Sequence, residues 1–394
     1  MKKKSFLAFL ASVLILAMIL GLCGCKSEAA PVILEPSFDE AGRPIIYLWA
    51  EGSQEDEMGL EKLIESYNAL PDRKATVQLQ FVRSGSFDAG ISSRYADAYG
   101  SGEYQGFDII AASDSAFQKI ITACGNNDNA FLETDPAKIP NLADVKMVSA
   151  LPGGRHVPYC GNWVVFAFDS AKLPQPPLTW EELSAWIEKN PGRFTYCDPN
   201  FGGAGDAFVT VSLHRLMGDP EVFSDPADPK WAAQADAGFD WLKAIHPNLY
   251  SSGGRIYYPT KDLGSLDLLS SGEVWLVPVW ADDVLRGLDQ KTLPETVKMY
   301  QMTDHLLPGS VSSFGICSTT VNSDACCDFI QYAISPQGQQ LLMRELKVIP
   351  AVDPATLDAS ALADLDPAAL YIMDVGDNKN QYCSRWTEEI ATIG

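Results

Sequence analysis

A glycine-rich turn in the middle of the chain combines residue types that commonly hold an anion. It lies in FTYCDPNFGGAGDAFVT, between a strand-like segment that begins at Phe194 and a predicted helix over Asp206–Met217. Gly202, Gly203 and Gly205 would let a ligand approach the backbone, and the free N–H groups at the helix start could bind a phosphate or carboxylate. The alternative is a plain strand-to-helix turn whose glycines allow tight packing.

Motifs for catalysis are missing from the sequence. A dinucleotide-binding fingerprint would need a third glycine where Phe208 stands, and no Gly-Lys-Ser/Thr sequence occurs to grip nucleotide phosphates. The Gly-x-Ser-x-Gly elbow and the His-Glu-x-x-His zinc motif are also absent. The four histidines are scattered along the chain, at His156, His214, His246 and His305. We therefore expect a protein that is not an enzyme and that has no cofactor and no bound metal.

The amino-terminal residues have the parts of an export signal. Three lysines precede an apolar run, Phe6–Leu22, which is followed by the small residues that end in Gly24 and Cys25. The ending Leu-Cys-Gly-Cys resembles a bacterial lipobox. It predicts a lipoprotein signal peptide over residues 1–24, lipidation of Cys25, and a tether over residues 25–40 that holds the body at the outer face of the membrane. The alternative is an uncleaved anchor.

An excess of acidic residues limits the partners of the protein. The 51 acidic and 29 basic residues give a formal net charge of −22. Binding to DNA or RNA depends on neutralising phosphates with Lys and Arg, so this balance argues against nucleic acid. It permits a cationic ligand without requiring one. A chain of 394 residues, of which 46% are hydrophobic, exceeds what one hydrophobic core usually organises, so two lobes are expected.

Strand-like and helix-like patterns alternate along the chain. The apolar runs Pro44–Trp49, Thr76–Val82 and Phe107–Ala112 read as strands, and segments with helical spacing separate them. This β-α-β-α-β order predicts a mostly parallel sheet. Further strands are expected over Trp163–Phe168 and Glu273–Trp280. The fold class is therefore α/β with two lobes.

Four segments in the second half of the chain resemble one family. The segment Asp328–Val352 contains Phe-x5-Ser-Pro-x-x-Gln, with Ser335 as the expected N-cap and Pro336 in the first helical position. This segment resembles a helix pair of ABC-transporter solute-binding proteins, and Gly309–Ala325 resembles the preceding return to lobe 1. NPGRFTYCDPNFGGAGDAF and LDQKTLPETVKMY are similar to segments of a branch near the thiamine, polyamine and ferric-iron binders.

This resemblance implies a type 2 periplasmic-binding-protein fold with a ligand cleft between the lobes. Lobe 1 would contain residues 41–160 and 312–348, lobe 2 would contain residues 161–311, and residues 349–394 would pack on lobe 2. The implied partners are a small-molecule ligand, an ABC-transporter permease, and the membrane through the lipid anchor. We expect a monomer that closes over its ligand by hinge bending. A ligand sensor and an exported enzyme on the same fold are the alternatives.

The candidate ligand contacts are taken from the ends of strands, which face the cleft in this fold. They are Trp49, Glu51, Ser53, Arg83, Ser84, Ser113, Asp114, Tyr159, Asn162, Trp163, Asn200, Phe201, Gly203, Gly205, Asp206, Trp280 and Asp282. Each residue alone is more readily explained as structural than as a ligand contact. Together they combine aromatic rings and carboxylates with one cation, Arg83, which favours a small organic cation such as a thiamine-like molecule or a polyamine.

A pair of tyrosines is the sign of a different ligand. Tyr257 and Tyr258 are adjacent, and ferric-iron binders of the resembling family use such a pair as phenolate ligands. Adjacent residues of a strand point to opposite faces, so an ordinary surface strand is the competing interpretation. Ferric-iron binding remains an alternative function.

Overall fold

The computed structural model describes residues 35–52, 54–83, 90–151, 153–358 and 367–393. The predicted signal peptide, Cys25 and the candidates Ser53 and Ser84 lie outside these residues. The strands are β1 (Ser37–Phe38), β2 (Pro44–Gly52), β3 (Thr76–Arg83), β4 (Ile109–Ser113), β5 (His156–Asp169), β6 (Ser251–Ser252), β7 (Arg255–Ile256), β8 (Leu276–Trp280), β9 (Val297–Tyr300), β10 (Gly309–Ile316) and β11 (Ile349–Pro350).

Helices separate most of the strands, as the alternating sequence pattern predicts. They are α1 (Gln54–Asn68), α2 (Ile91–Ser101), α3 (Asp114–Ala123), α4 (Trp180–Lys189), α5 (Gly203–His214), α6 (Glu221–Ser224), α7 (Asp236–Ile245), α8 (Asp262–Ser270), α9 (Ala281–Asp289), α10 (Ser323–Ala333), α11 (Pro336–Leu346) and α12 (Asn378–Trp386). Two of them begin at N-caps that the sequence predicts, namely Ser335 and, from its spacing to Glu182, Thr179. The hydroxyl of Thr179 accepts from the Glu182 N–H at the start of α4, and that of Ser335 accepts from the Gly338 N–H at the start of α11.

The first three long strands form the predicted parallel arrangement. β2 lies between β3 and β4 and runs parallel to both, with Leu48 opposite Leu79 on one side and Ile109 on the other. β10 lies antiparallel between β4 and β5. The carboxyl ends of β2 and β4 therefore lie at the same edge of the sheet.

The long strand β5 joins two parts of the sheet. Its first half pairs with β10 and β11, and its second half, Val164–Asp169, pairs with β8 and β9. The sequence predicts a shorter strand over Trp163–Phe168. The observed strand begins earlier because the segment from His156 to Cys160 is also buried and bonds to β10.

Separate hydrophobic clusters stand on the two halves of β5. One packs β2 and β4 against α1, α10 and α11. Another packs the second half of β5 against α4, α5 and α7, and it also contains Tyr382 and Trp386 of α12. Thus the end of the chain contributes to the second cluster. The exact lobe boundaries given above stay a prediction.

Two helices differ from their predicted bounds. The helix after the glycine-rich turn begins at Gly203, not at Asp206, and ends at His214. The sequence also predicts one helix around Trp231–Ile245, but the structure has a 3-10 segment that ends at Gln234, followed by α7. The early start of α5 follows from contacts made by a distant side chain, which are described below.

Candidate functional site

A cavity of about 510 Å³, here called the cleft, opens at the carboxyl ends of β2 and β4. In α/β folds this edge of the sheet is the usual place for a ligand. Its described walls are formed by Ala50, Glu51, Asp56, Leu60, Ala111, Ala112, Ser113, Ala116, Tyr159, Cys160, Gly161, Asn162, Asp282, Arg286, Ser310, Ser312, Leu346 and Val348. Five of the predicted contacts, Glu51, Ser113, Tyr159, Asn162 and Asp282, are thereby brought together.

Strand geometry explains why these polar side chains meet. Glu51 stands near the end of β2, and Ser113 ends β4, where its hydroxyl also accepts from the Ala116 N–H and caps α3. Ser310 and Ser312 are two residues apart on β10, so they point to the same face of the sheet. Hydroxyl groups and a carboxylate therefore line one side of the cleft.

Asn162 connects β5 to the start of α9. Its Nδ2 donates to Oδ1 of Asp282 at 2.6 Å, and its Oδ1 accepts from the backbone N–H groups of Trp163 and Asp282 at 2.9 and 3.3 Å. These three hydrogen bonds orient the Asn162 amide and, through it, the Asp282 carboxylate. The position of this carboxylate in the cleft is therefore set by the hydrogen-bonding capacity of one asparagine.

Arg286 is the cation of the described cleft walls, and two carboxylates of its own helix hold it. Its Nη2 lies 3.2 Å from Oδ2 of Asp282, and its Nη1 lies 3.5 Å from Oδ1 of Asp283. Burial raises the pKa of Asp282 above its ordinary value, against the lowering effect of Asn162 and Arg286. Burial and the neighbouring Asp282 raise the pKa of Asp283 to about 7. The guanidinium thus stabilises two partly desolvated acids.

Acidic groups outnumber basic ones in the described lining. Glu51, Asp56 and Asp282 contribute three carboxylates, against the single guanidinium of Arg286. Tyr159 supplies an aromatic ring that stacks on Phe314 with a centroid distance of 4.1 Å. Burial raises the pKa of the Tyr159 hydroxyl well above its ordinary value, so this group stays neutral. The arrangement offers hydrogen-bond acceptors and negative charge to a ligand.

The glycine-rich turn holds a carboxylate of the chain itself. The Asp262 side chain accepts from the backbone N–H groups of Gly203 and Ala204 at 3.1 and 2.9 Å. The thiol of Cys197 donates to Asp262 at 3.0 Å and accepts from the Gly205 N–H at 3.1 Å. The start of α5 therefore bonds an anion as expected of a helix N-terminus, but that anion is Asp262.

Two of the glycines in this turn, Gly203 and Gly205, lie close to other parts of the chain. A Cβ atom on Gly205 would overlap the carbonyl oxygen of Cys197, and one on Gly203 would lie 3.0 Å from the Trp280 ring. Both residues therefore lie against parts of the chain itself. Ligand contact by Gly203 and Gly205 stays a prediction, without support from this geometry.

Three candidates at strand ends lie in the interior, not in the cleft walls. Trp49 is buried within β2, and its indole donates to the Gly106 carbonyl at 2.7 Å. The buried Trp163 donates to the Leu307 carbonyl at 2.6 Å. Asp114 accepts from the Ala150 N–H at 2.6 Å. Their polar groups form hydrogen bonds within the protein, as expected if these residues have structural roles.

The remaining candidates also lie outside the described lining. Arg83 pairs with Glu57 at 2.6 Å, and Asp206 pairs with Lys379 at 2.7 Å. Phe201 is exposed to 68%, and Asn200 beside it is exposed as well. Trp280 is half-buried and lies against Gly203. The predicted aromatic wall is therefore represented in the described lining by Tyr159 alone.

Several lining residues were missed by reasoning from the sequence. They are Asp56, Cys160, Ser310, Ser312 and Arg286. Arg286 could have been found, because it stands four residues after Asp282, a spacing at which two side chains meet if the segment is helical. The alternating serines of β10 carried a similar signal. The sequence around Cys160 gave no such signal, because its apolar neighbours indicate a position in the hydrophobic core.

Tyr257 and Tyr258, the tyrosines of the ferric-iron hypothesis, have side chains in different surroundings. Tyr257 is 44% exposed, whereas the Tyr258 hydroxyl bonds to Nδ1 of His246 at 2.8 Å and its ring packs against Trp386. Within the residues that the structure describes, no group of three or more His, Cys, Asp or Glu side chains is arranged to hold a metal ion.

Comparison with known proteins agrees with this architecture. The profile of the family described as bacterial extracellular solute-binding protein matches residues 62–369. Protein YnjB of Escherichia coli K12 is 28% identical over 219 residues, which are 54% of this chain. The chain spans about half the length of this curated relative, at 53%. None of the helices in the described ranges has the length and apolar character needed to cross a membrane.

Solved structures share the fold at low sequence identity. An ABC transporter protein from Clostridium perfringens ATCC 13124 superposes with a TM-score of 0.60 and 19% identity, over 87% of this chain and 99% of that one. A cyclic alpha-maltosyl-1,6-maltose binding protein from Arthrobacter globiformis gives 0.62 and 13%, over 90% and 95%. The predicted two-lobe α/β fold is confirmed. The chain belongs to the bacterial extracellular solute-binding protein family.

Proposed function

We propose that the protein captures a small organic cation outside the cytoplasm and delivers it to an ABC-transporter permease. Membership in the extracellular solute-binding family supports a binding role without catalysis. The observation that carries the choice of ligand is the distribution of charge in the cleft. Glu51 and Asp56 contribute carboxylates from β2 and α1, and Asp282 contributes one from α9, while Arg286 is already paired.

The size of the electrostatic interaction favours a cationic ligand over an anionic one in the cleft. Two unit charges about 4 Å apart interact by about 4 kcal/mol at the effective dielectric of a protein surface. A ligand ammonium group would gain this attraction from the carboxylates of the cleft walls, whereas a ligand anion would be repelled by the same three carboxylates. The guanidinium of Arg286 offsets one of those charges. The summed charge of these four side chains in the described cleft walls remains negative.

The size and lining of the cleft narrow the class further. A cavity of about 510 Å³ suits a small organic molecule. A sugar would gain from several aromatic faces, but Tyr159 is the single aromatic residue in the described walls. A thiamine-like compound or a polyamine fits the charge better. The fold itself carries no ligand information, since the Arthrobacter globiformis protein of similar fold binds a maltose derivative.

Closure over the ligand follows from where the contacts stand. Glu51 and Ser113 end strands of the first part of the sheet, and Asp282 begins α9 after β8 of the second part. A ligand that bonds to both parts gains most when they approach, so binding favours the closed state. We further propose that Cys25 carries a lipid that keeps the protein near its permease.

A thermal-shift screen of the predicted soluble body, residues 26–394, tests the ligand class. It should compare spermidine, putrescine and thiamine with sugars, amino acids, inorganic phosphate and ferric iron. At a hundredfold excess over its dissociation constant, a ligand stabilises the folded protein by about 2.7 kcal/mol. We expect a shift with at least one cationic compound. Shifts with sugars or anions alone would contradict the proposal.

Two aspartate variants place the binding site. Asp282→Asn should abolish the shift because it removes one of the three cleft carboxylates and leaves the charge of Arg286 to repel a cation. Asp328→Asn is the matched control, since Asp328 bonds to Tyr67 and Lys74 outside the cleft. It should alter stability and leave the ligand-induced shift intact. Equal loss in both variants would point to a general folding defect.

A further inference from the structure

We propose that Arg286 is an internal cation that the cationic group of the ligand replaces at Asp282, and that Asp283 receives Arg286 when it moves. The inference rests on the proposed function and assigns a selectivity role to a residue pair within it. Arg286 would hold the binding carboxylate in the empty protein. The cationic group of the ligand would then form this charge pair with Asp282 in place of Arg286.

The two oxygens of Asp282 have different partners, which makes such an exchange specific. Oδ1 accepts from Nδ2 of Asn162 at 2.6 Å, whereas Oδ2 faces Nη2 of Arg286 at 3.2 Å. The Asn162 bond would keep the carboxylate in place after Arg286 leaves. Oδ2 is therefore the atom that the ligand's cationic group would take over.

A second acceptor for Arg286 is already in position. Nη1 lies 3.5 Å from Oδ1 of Asp283, and both aspartates precede Arg286 on α9 by three or four residues. The guanidinium spans both carboxylates, so a small side-chain rotation would move it toward Asp283. Asp282 and Arg286 line the described cleft, but Asp283 does not. Asp283 is thus placed to act on a ligand through its contact with Arg286 and not by direct contact.

The arrangement explains how the empty cleft tolerates a desolvated acid. The Asp282 side chain is 19% exposed, and leaving a buried charge without a partner is strongly destabilising. Arg286 supplies that partner until a ligand arrives. A neutral solute could not replace it, because the exchange would leave Asp282 uncompensated. Selectivity for cations would follow from this requirement.

A double-mutant cycle in the full chain tests the exchange with spermidine and thiamine as probes, using calorimetry. Arg286→Gln removes the competitor and should tighten binding about tenfold, equivalent to about 1.4 kcal/mol. Asp283→Asn removes the second acceptor and should weaken binding. Its effect should vanish in the Arg286→Gln background, because no guanidinium then needs a new partner. Equal effects of Asp283→Asn in both backgrounds, or weaker binding by Arg286→Gln, would overturn the inference.

Arg385→Gln is the matched control for this cycle. Arg385 is exposed to a similar extent, at 29% against 30%, and it also contacts two carboxylates, those of Asp236 and Glu389. It lies outside the described cleft walls, so probe affinity should not change. A change of the same size as in Arg286→Gln would attribute the effect to net charge and overturn the exchange.

A rescue experiment tests the Asp282 subsite without any assumption about the natural ligand. Arg286→Ala should gain thermal stability from millimolar methylguanidinium, compared with sodium at equal ionic strength, and the wild type should not. Adding Asp282→Asn should remove the gain. Absence of rescue would overturn this inference. Rescue without binding of any cationic compound by wild type or variants would instead contradict the proposed function.

Discussion

Asn162 and Asp282, separated by 120 residues, are joined by a 2.6 Å hydrogen bond between Nδ2 and Oδ1. Asn162 stands on β5 two residues before Val164, where the strand begins to pair with β8. The bond therefore ties a carboxylate of the cleft to the strand that connects the two parts of the sheet. Any change in the relative position of β5 and α9 would move this carboxylate.

Replacing Asn162 with alanine should weaken ligand binding more than it lowers stability. The variant removes a donor to a partly buried carboxylate, at a cost of about 1–3 kcal/mol, and frees the Asp282 side chain to rotate. We expect the thermal shift with the best cationic compound to fall strongly. Titration calorimetry and chemical unfolding of the same preparations would separate the two effects.

Asn141→Ala provides the comparison. Asn141 is half-buried and lies away from the described cleft walls. Its side-chain Nδ2 donates to the Gln331 carbonyl at 3.0 Å, and its backbone N–H donates to Oε1 of Gln331 at 2.9 Å, a bond that alanine would keep. It should lose stability and keep normal ligand affinity. Similar affinity losses in the two variants would show that the Asn162 effect is not local.

The Asp262 carboxylate should stabilise the protein as the cap of α5. Asp262→Ala leaves the N–H groups of Gly203 and Ala204 without their acceptor, which typically costs about 1–2 kcal/mol. Urea unfolding would measure this loss. Gly205→Ala should be worse, since its Cβ would overlap the carbonyl of Cys197. A neutral Gly205→Ala variant would contradict the packing role of this glycine.

The buried ring of His156 should make the protein sensitive to acid. It lies between Phe117 and Phe131, and neither ring nitrogen has a hydrogen-bond partner among the described residues. Burial, with a smaller effect of Arg155, lowers its pKa to about 4. The unfolded chain, with an ordinary pKa of about 6.5, binds the proton more readily, so stability is lost as the pH falls from about 6.5 towards 4.

His156→Phe should remove this part of the acid sensitivity. The lowered pKa corresponds to a loss of about 3 kcal/mol of unfolding free energy by pH 4, of which about 2 kcal/mol should already be lost by pH 5. Unfolding free energies at pH 7 and pH 5 would reveal the difference between variant and wild type. His214, whose pKa burial also lowers to about 4, should contribute in the same direction, as should His246 and His305, whose pKa values burial lowers as well. Identical pH dependence in both proteins would refute the role of His156.

Leu370 packs over two glycines on neighbouring strands. A Cβ on Gly161 of β5 would lie 2.5 Å from one Leu370 methyl, and a Cβ on Gly309 of β10 would overlap the other. Gly161→Ala should therefore destabilise the protein by about 1–3 kcal/mol through overpacking. Combining it with Leu370→Ala should recover part of the loss, measured by chemical unfolding. Additive losses in the double variant would mean that Leu370 is not the obstacle.

Processing at the amino terminus is tested by the mass of the membrane-extracted protein. We expect a chain that begins at a lipid-modified Cys25, because the preceding residues resemble a lipobox. Cys25→Ser should be released from the membrane or left unprocessed. A mature protein that retains Met1 or Lys2 would rule out the predicted cleavage.

Local sequence patterns were sufficient to predict the main strands and the alternating α/β order. The run Pro44–Trp49 and the alternation in Thr76–Val82 depend on neighbours within a few residues, and β2 and β3 form there. The capping residues Thr179 and Ser335 also act within one helical turn. The start of α5 was misplaced because its acceptor, Asp262, stands 59 residues away from Gly203.

Reasoning from the sequence named some of the residues that line the described cleft and missed others. Strand ends pointed to Glu51 and Ser113, because parallel strands bring their carboxyl ends to one edge, whereas Asn162 lies within the long strand β5. The same argument could not separate Asp282, which faces the cleft, from Asp206, which pairs with Lys379. Both are acidic residues in the first turn of a helix, so their local sequences are equivalent in this respect.

The amino-acid sequence by itself determined the α/β class, the order of the elements and the resemblance to solute-binding proteins, since these depend on short-range periodicity and motifs. Tertiary structure alone decided which polar groups form hydrogen bonds within the chain and which face the cleft. Asp262 fills the start of α5, whereas Asn162 holds Asp282 in the cleft. Such pairings join residues far apart in sequence, and they form only when packing fixes the direction of each side chain.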